Sequence, residues 1–154
     1  MASYTATITW SRSEGEAFSD NRYSRGHEWA FDGGERLRAS SSPHVVPRYS
    51  DPAGVDPEEA LVASLSSCHM LTFLHLAAKA GLVVDRYEDA AEGVMERRAD
   101  GRFWVARVTL RPRIVWGAGG APAPEVEDQL HHAAHEECFI ANSVRTEVTC
   151  VPVR

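Results

Sequence analysis

The sequence predicts an α+β fold. Apolar and polar residues alternate over residues 3–12 and again over 102–116. A single long apolar helix pattern fills 57–80. The order that results is strands, long helix, strand hairpin, helix, strand. No internal repeat and no linker-like stretch interrupts it, so residues 1–154 are expected to form one domain.

Each element has its own signal. Tyr4, Ala6, Ile8 and Trp10 share one parity and Thr5, Thr7 and Thr9 the other, the pattern of a half-buried strand. Residues 22–31 repeat that parity with His27, Trp29 and Phe31. Gly33-Gly34 marks a turn, and Arg36 to Ser40 can return as a third strand, completing a small antiparallel meander. Residues 40–55 have no period and contain Pro43, Pro47 and Pro52. A loop of this length inside a compact domain is usually functional or held by a partner.

The helix that follows has a defined start. Asp56 suits the cap, Pro57 the first helical position, and Glu59 completes a capping-box spacing; Gly81 supplies the stop. Residues 57–80 would span roughly 36 Å. Leu61, Leu65, Leu71, Phe73, Leu74 and Leu76 surround most of its circumference, which predicts burial nearly all round. Ser64, Ser66, Ser67, His69, Thr72, His75 and Lys79 argue against a membrane span. Residues 84–98 and 102–116 read as one hairpin turning at Asp100-Gly101. Trp104, Ala106, Val108, Leu110 and Ile114 face a core, while Arg107, Thr109, Arg111 and Arg113 face solvent. Residues 117–124 are a loop, 125–137 a helix and 144–153 a closing strand.

Composition narrows the function. The chain has 154 residues, 44% of them hydrophobic and 25% charged, as in ordinary globular proteins able to bury a core. The net charge of −6 and the lack of a basic run argue against nucleic acid as a partner. The opening residues lack a charged-then-apolar leader. Three cysteines with no C-x-x-C pair do not make a disulfide scaffold or a zinc ribbon. A cytoplasmic protein with functional thiols is expected, with no membrane partner and no cofactor.

The thiols stand in unlike surroundings. Cys68 lies inside the long helix, in Ser66-Ser67-Cys68-His69-Met70, and Cys138 closes a stretch containing His131, His132 and His135. Taken alone, Cys68 is as readily a small core residue, since free cysteine is commonly buried and inert. Cys150 shares parity with Val148 and reads as core. His131, His135 and Cys138 share one helix face and are zinc-compatible types, but no fourth ligand stands nearby, so no metal is assigned. A solvated or capping helix end is the default for His131 and His132. His135 can sit near Cys138 and tune it. His69 lies about 100° round the helix from Cys68 and need not touch its sulfur, and His75 reads as an interior or interface histidine. Arg107, Arg111 and Arg113 read as a solvated strand face.

The segment Asp56-Pro57-Glu58-Glu59-Ala60-Leu61-Val62-Ala63-Ser64-Leu65-Ser66-Ser67-Cys68 resembles the signature of the OsmC/Ohr family (osmotically inducible protein C and organic hydroperoxide resistance protein), in its OsmC-like branch. A second family cysteine precedes the last strand, where Cys138-Phe139-Ile140-Ala141-Asn142-Ser143 stands. The resemblance implies an OsmC-like fold, with antiparallel sheets packed around a long central helix in an intertwined homodimer whose active sites lie at the subunit interface. It also implies a thiol-dependent peroxidase acting on organic hydroperoxides or hydrogen peroxide and regenerated by a dithiol reductant, lipoyl-type in several members. The family's Glu matches Glu58 and its Arg matches Arg48. His69 departs from the apolar or aromatic residue commoner after the first cysteine, and Phe139 from the frequent Pro after the second.

The chemistry asks for these groups. A thiolate attacks the O–O bond, and in an apolar helix only a nearby cation keeps a thiol reactive. Arg48 is always charged and its planar fork can reach sulfur and peroxide oxygen together. Glu58 would orient it by a charge-assisted bond. The sulfenic acid then condenses with Cys138 to a disulfide. Phe73, Phe139 and Ile140 are candidate apolar walls for the substrate. Glu58 and Cys68 are ten positions apart, about 15 Å along one straight helix, so a shared site calls for two antiparallel copies of the helix. The other readings are a Cys/His hydrolase, for which no third orienting residue is evident, a non-catalytic binder of a small apolar ligand, and a His/Cys metal-binding protein.

Overall fold

The computed structural model describes residues 1–154, which divide into two compact units, residues 1–60 and 61–154. In the first unit, β1 (Ala6–Thr9), β2 (His27–Phe31) and β3 (Arg36–Ala39) form the expected antiparallel meander in the order β1-β2-β3. Ile8 faces Trp29, and Trp29 faces Leu37. At the turn Gly34 takes φ +92°, a left-handed conformation open to glycine at little cost. β1 is not half-buried. It is an edge strand exposed along its whole length, and Ile8 keeps 57% of its surface.

The irregular segment after β3 is tied down by its own serines. Ser40 and Ser42 are buried. The Ser40 hydroxyl accepts the Asp51 N–H at 2.9 Å, the Ser41 and Ser50 hydroxyls lie 2.7 Å apart, and Val55 pairs with both Arg38 and Ser40 through backbone bonds of 3.0 Å. The capping box then closes as the spacing predicts. Glu59 N–H donates to the Asp56 carboxylate at 2.8 Å, and Asp56 N–H to the Glu59 carboxylate at 3.1 Å, so two orphan donors of the helix start are satisfied reciprocally.

Helix α1 (Pro57–Lys79) ends where Gly81, at φ +76°, allows Leu82 N–H to reach Ala77 O and Gly81 N–H to reach Ala78 O, both at 3.0 Å. The chain buries only its Leu65, His69, Phe73 and Ala77, one residue per turn. The all-round burial expected is not found: Leu71, on another face, is 62% exposed.

In the second unit the long hairpin divides. Strands β5 (Glu92–Arg97) and β6 (Phe103–Leu110) pair in one sheet, and β4 (Val84–Asp89) and β7 (Pro112–Trp116) in another. The break falls where Pro112 has no N–H for a ladder and where Arg111 N–H leaves the ladder for the Asp89 carboxylate at 2.6 Å. Strand β8 (Glu147–Cys150) joins β6 in parallel, so the sheets are not wholly antiparallel. The parity assigned to β6 holds, with Ala106, Val108 and Leu110 buried. One core gathers Leu65, Val108 and Leu110, and a second Phe73, Ala77 and Ala134, the last from helix α2 (Pro124–Glu137). Gly93 lets β5 approach α1, because a Cβ there would meet Val62 at 2.5 Å.

Candidate active site

The second unit brings Cys68 and Cys138 together. Cys68 sits at the middle of α1 and is partly exposed; Cys138 is 1% exposed. All three cysteines are free, and the Cys68 side chain stands close enough to Cys138 to perturb it. Burial raises the pKa of Cys138 above its ordinary value, and the neighbouring Cys68 side chain raises it further. The end of α2 sets that sulfur in place. Cys138 leaves helical geometry at φ −71°, ψ 111°, the chain turns into a short 3-10 segment, and Ala141 N–H points at the Cys138 sulfur from 3.4 Å.

One residue further on, α1 meets α2 again. His69 Nε2 and His131 Nδ1 are 3.0 Å apart, and the two side chains are 1% and 3% exposed. His131 stacks on Phe73 at 4.2 Å between ring centroids. The helix-end reading of His131 is therefore wrong: its i+3 neighbour Ala134 and the aromatic floor of Phe73 make it a core residue. Burial lowers the pKa of both rings to about 4, with charge on His135 adding to the effect at His69 and His69 itself adding to it at His131. His75 is exposed, which corrects the interior reading for this chain. Of the proposed apolar walls, Phe73 is fully buried between His131, Tyr87 and Trp116 and presents no face to a ligand. Phe139 is 81% exposed, and Ile140 packs on the Leu65 core.

Glu58 and Arg48 belong to the first unit. Arg48 is exposed, and the ion pair expected between the two is not made in this chain. Glu58 instead lines a cavity of about 490 Å³ that also takes in Arg25, Trp10, Phe18 and Tyr23. The three aromatic rings contact one another at centroid distances of 4.6–5.8 Å. The Arg25 guanidinium lies 3.6 Å over Tyr23 and donates to the Asn21 side chain at 2.8 Å. Sequence reading missed Arg25. Its parity with His27 and Trp29 was the available signal; nothing periodic marks Phe18 or Tyr23.

Comparison with known proteins agrees with the fold. The model of the family described as OsmC-like protein matches residues 50–152. No curated protein gives a match. Among solved structures, an OsmC-like protein of unknown function from Vibrio cholerae O1 biovar eltor is 50% identical, with a TM-score of 0.96 over 99% of this chain and 100% of that one. An organic hydroperoxide resistance protein OsmC from Legionella pneumophila matches at 18% identity and TM-score 0.70, over the whole of both chains. The organic hydroperoxide resistance protein OhrB of Bacillus subtilis matches at 20% identity and 0.67, over 97% of this chain and 98% of that one. By the family match and the 50% identical relative together, the chain belongs to the OsmC-like protein family.

Proposed function

We propose that this protein is a thiol-dependent peroxidase that reduces organic hydroperoxides or hydrogen peroxide. The observation that carries the reading is the pairing of Cys68 with Cys138, whose pKa burial and Cys68 both raise. The Cys68 thiolate attacks the distal peroxide oxygen. The O–O bond breaks, the alkoxide leaves and takes a proton as alcohol, and Cys68 becomes a sulfenic acid. Cys138 then attacks the Cys68 sulfur, water leaves, and a Cys68–Cys138 disulfide forms. An external dithiol, lipoyl-type in chemistry, reduces it by exchange and ends as a disulfide itself. No cofactor enters the cycle.

Arg48, oriented by Glu58, is proposed as the guanidinium that favours the thiolate and the leaving oxygen, and the protein as a homodimer in the cytoplasm. The unbroken helix supports the dimer, since ten residues separate Glu58 from Cys68 along it. So do the exposed apolar side chains of Leu71, Ile8 and Phe139. Arg25, on the wall that Glu58 shares, is a second candidate for the guanidinium, and the rings of Trp10, Phe18 and Tyr23 would hold the organic part of a hydroperoxide. That aromatic cavity is also what a non-catalytic ligand binder would use.

Mass spectrometry after treatment with stoichiometric cumene hydroperoxide separates the readings. A Cys68–Cys138 disulfide is expected. Wild-type protein that keeps both thiols free would overturn the peroxidase reading and leave the binding one.

A further inference from the structure

The buried histidine pair has a third member. His69 from α1, His131 from α2 and Cys150 from β8 each offer a donor atom, and the three atoms lie within 4.8 Å of one another. We propose that these residues form a binding site for a single transition-metal ion, Zn²⁺ by preference, which is distinct from the Cys68–Cys138 pair and clamps α1, α2 and β8 together.

Donor chemistry and spacing point the same way. Two imidazoles and a thiol are a borderline-soft set that suits Zn²⁺ and is poor for Mg²⁺ or Ca²⁺. The facing nitrogens are 3.0 Å apart, and two nitrogens on one tetrahedral Zn²⁺ lie about 3.3 Å apart at ordinary bond lengths. In the metal-free chain the nearly parallel rings, with centroids 5.3 Å apart, aim at each other through one shared proton. Replacing that proton by a cation requires the rings to turn until both lone pairs converge.

The surroundings are short of hydrogen-bond partners. His69 Nδ1, His131 Nε2 and the Tyr87 hydroxyl are buried without a hydrogen bond, an uncommon concentration of unmet polar groups in one core. The Asp89 carboxylate acts electrostatically on His69, Tyr87 and Cys150 alike, and it is held by Ser66 and by the Arg111 N–H. Coordination to a cation removes the Cys150 thiol proton, which leaves to solvent. Cys150 is partly exposed, which gives an ion a way in. Three protein ligands leave a fourth position for water. The sequence grouped His131 with His135 and Cys138 by helix spacing; the fold groups it instead with residues 62 positions before it and 19 after it.

Co²⁺ and Zn²⁺ titrations of chelator-treated, reduced protein test the site. One equivalent of Co²⁺ should give the visible bands of a tetrahedral ion with a near-ultraviolet thiolate charge-transfer band. Zn²⁺ should displace it and raise the melting temperature. Cys150→Ser should abolish the charge-transfer band and weaken binding by more than the ~10–100-fold that follows loss of an outer hydrogen-bond partner. His131→Gln should do the same. The double variant Cys68→Ser/Cys138→Ser should bind like wild type. Absence of a one-equivalent transition in the wild type overturns the proposal. So does a band that survives Cys150→Ser or disappears with Cys68→Ser/Cys138→Ser. The Cys150→Ser variant keeps the test meaningful if His131→Gln does not fold. The outcome is independent of peroxidase activity, which is read on the other two cysteines.

Discussion

Helices α1 and α2 touch through two neighbouring pairs, and the pairs differ in kind. Cys68 with Cys138 joins a partly exposed thiol to a buried one at the very end of α2, where the chain is already leaving the helix. His69 with His131 joins two buried rings two turns earlier, on the ring of Phe73. Adjacent positions on α1 thus serve one pair with a partly exposed member and one whose two side chains are both buried. Partial exposure at a helix end suits covalent chemistry. Burial on an aromatic floor suits a fixed structural element. Substitutions that disable one pair should leave the other largely intact.

The largest separation is expected from Cys68→Ser. Turnover of tert-butyl hydroperoxide with a dithiol reductant should fall to background, because the hydroxyl that replaces the thiol is not a nucleophile at neutral pH. Stability should change by less than about 1 kcal/mol, since Cys68 lies outside both buried clusters. Cys138→Ser should instead permit one turnover and leave a Cys68 sulfenic acid that a dimedone-type reagent traps. If Cys68→Ser keeps its turnover, the division of labour between the two pairs is wrong.

How far the sequence reveals these pairs depends on which contacts are local. The capping box at Asp56 and Glu59, the stop at Gly81 and the β6 alternation are set by neighbours within a few residues, and each stands where the spacing puts it. The thiol pair was readable only because both flanking segments resemble a known family. Helix spacing placed His131 beside His135 and Cys138, yet its actual partner is 62 residues away on another helix. No periodicity within one element reports such a contact. The division of the long hairpin turned on Pro112 and on the Arg111 bond to Asp89, a side chain acting across strands. The exposure of β1 and of Leu71 was hidden too, because an apolar side chain states a preference for burial without naming what covers it.

Phe73→Ala should strike the other pair. It removes a fully buried ring that contacts His131, Tyr87 and Trp116, and comparable truncations cost about 3–5 kcal/mol. Urea denaturation should show that loss, while peroxide-driven disulfide formation persists in the fraction that remains folded. A loss below about 1 kcal/mol would mean that the histidine pair has no firm floor.

Acid should act on the histidine pair alone. In the folded, metal-free chain both rings sit at about 4, against 6.5 when unfolded. The unfolded chain therefore binds more protons between those values, and stability falls as the pH drops from about 6.5 towards about 4, by an amount on the order of a few kcal/mol. The charged neighbours are His135 and Asp89 at His69, and Asp128 and Arg154 at His131; the acids oppose the shift and the bases add to it. Denaturant midpoints at pH 7 and pH 4.5 measure the slope, and His131→Gln should flatten it. An equal slope in that variant would place the acid sensitivity elsewhere.

The smallest effect belongs to the helix start, which both pairs depend on and neither includes. Asp56→Ala removes the acceptor for the Glu59 N–H and leaves the Glu59 carboxylate as the only half of the capping box. Loss of such a cap costs about 1 kcal/mol. Cys68 and His69 are twelve and thirteen positions further along, and fraying at the first turn of a helix dies out well before that distance. The variant should thus lower the denaturant midpoint slightly, with no change in the rate of Cys68–Cys138 disulfide formation or in the acid slope. A change in only one of the two readouts would show that the first turn of α1 is coupled to one pair and not to the other, and it would identify which.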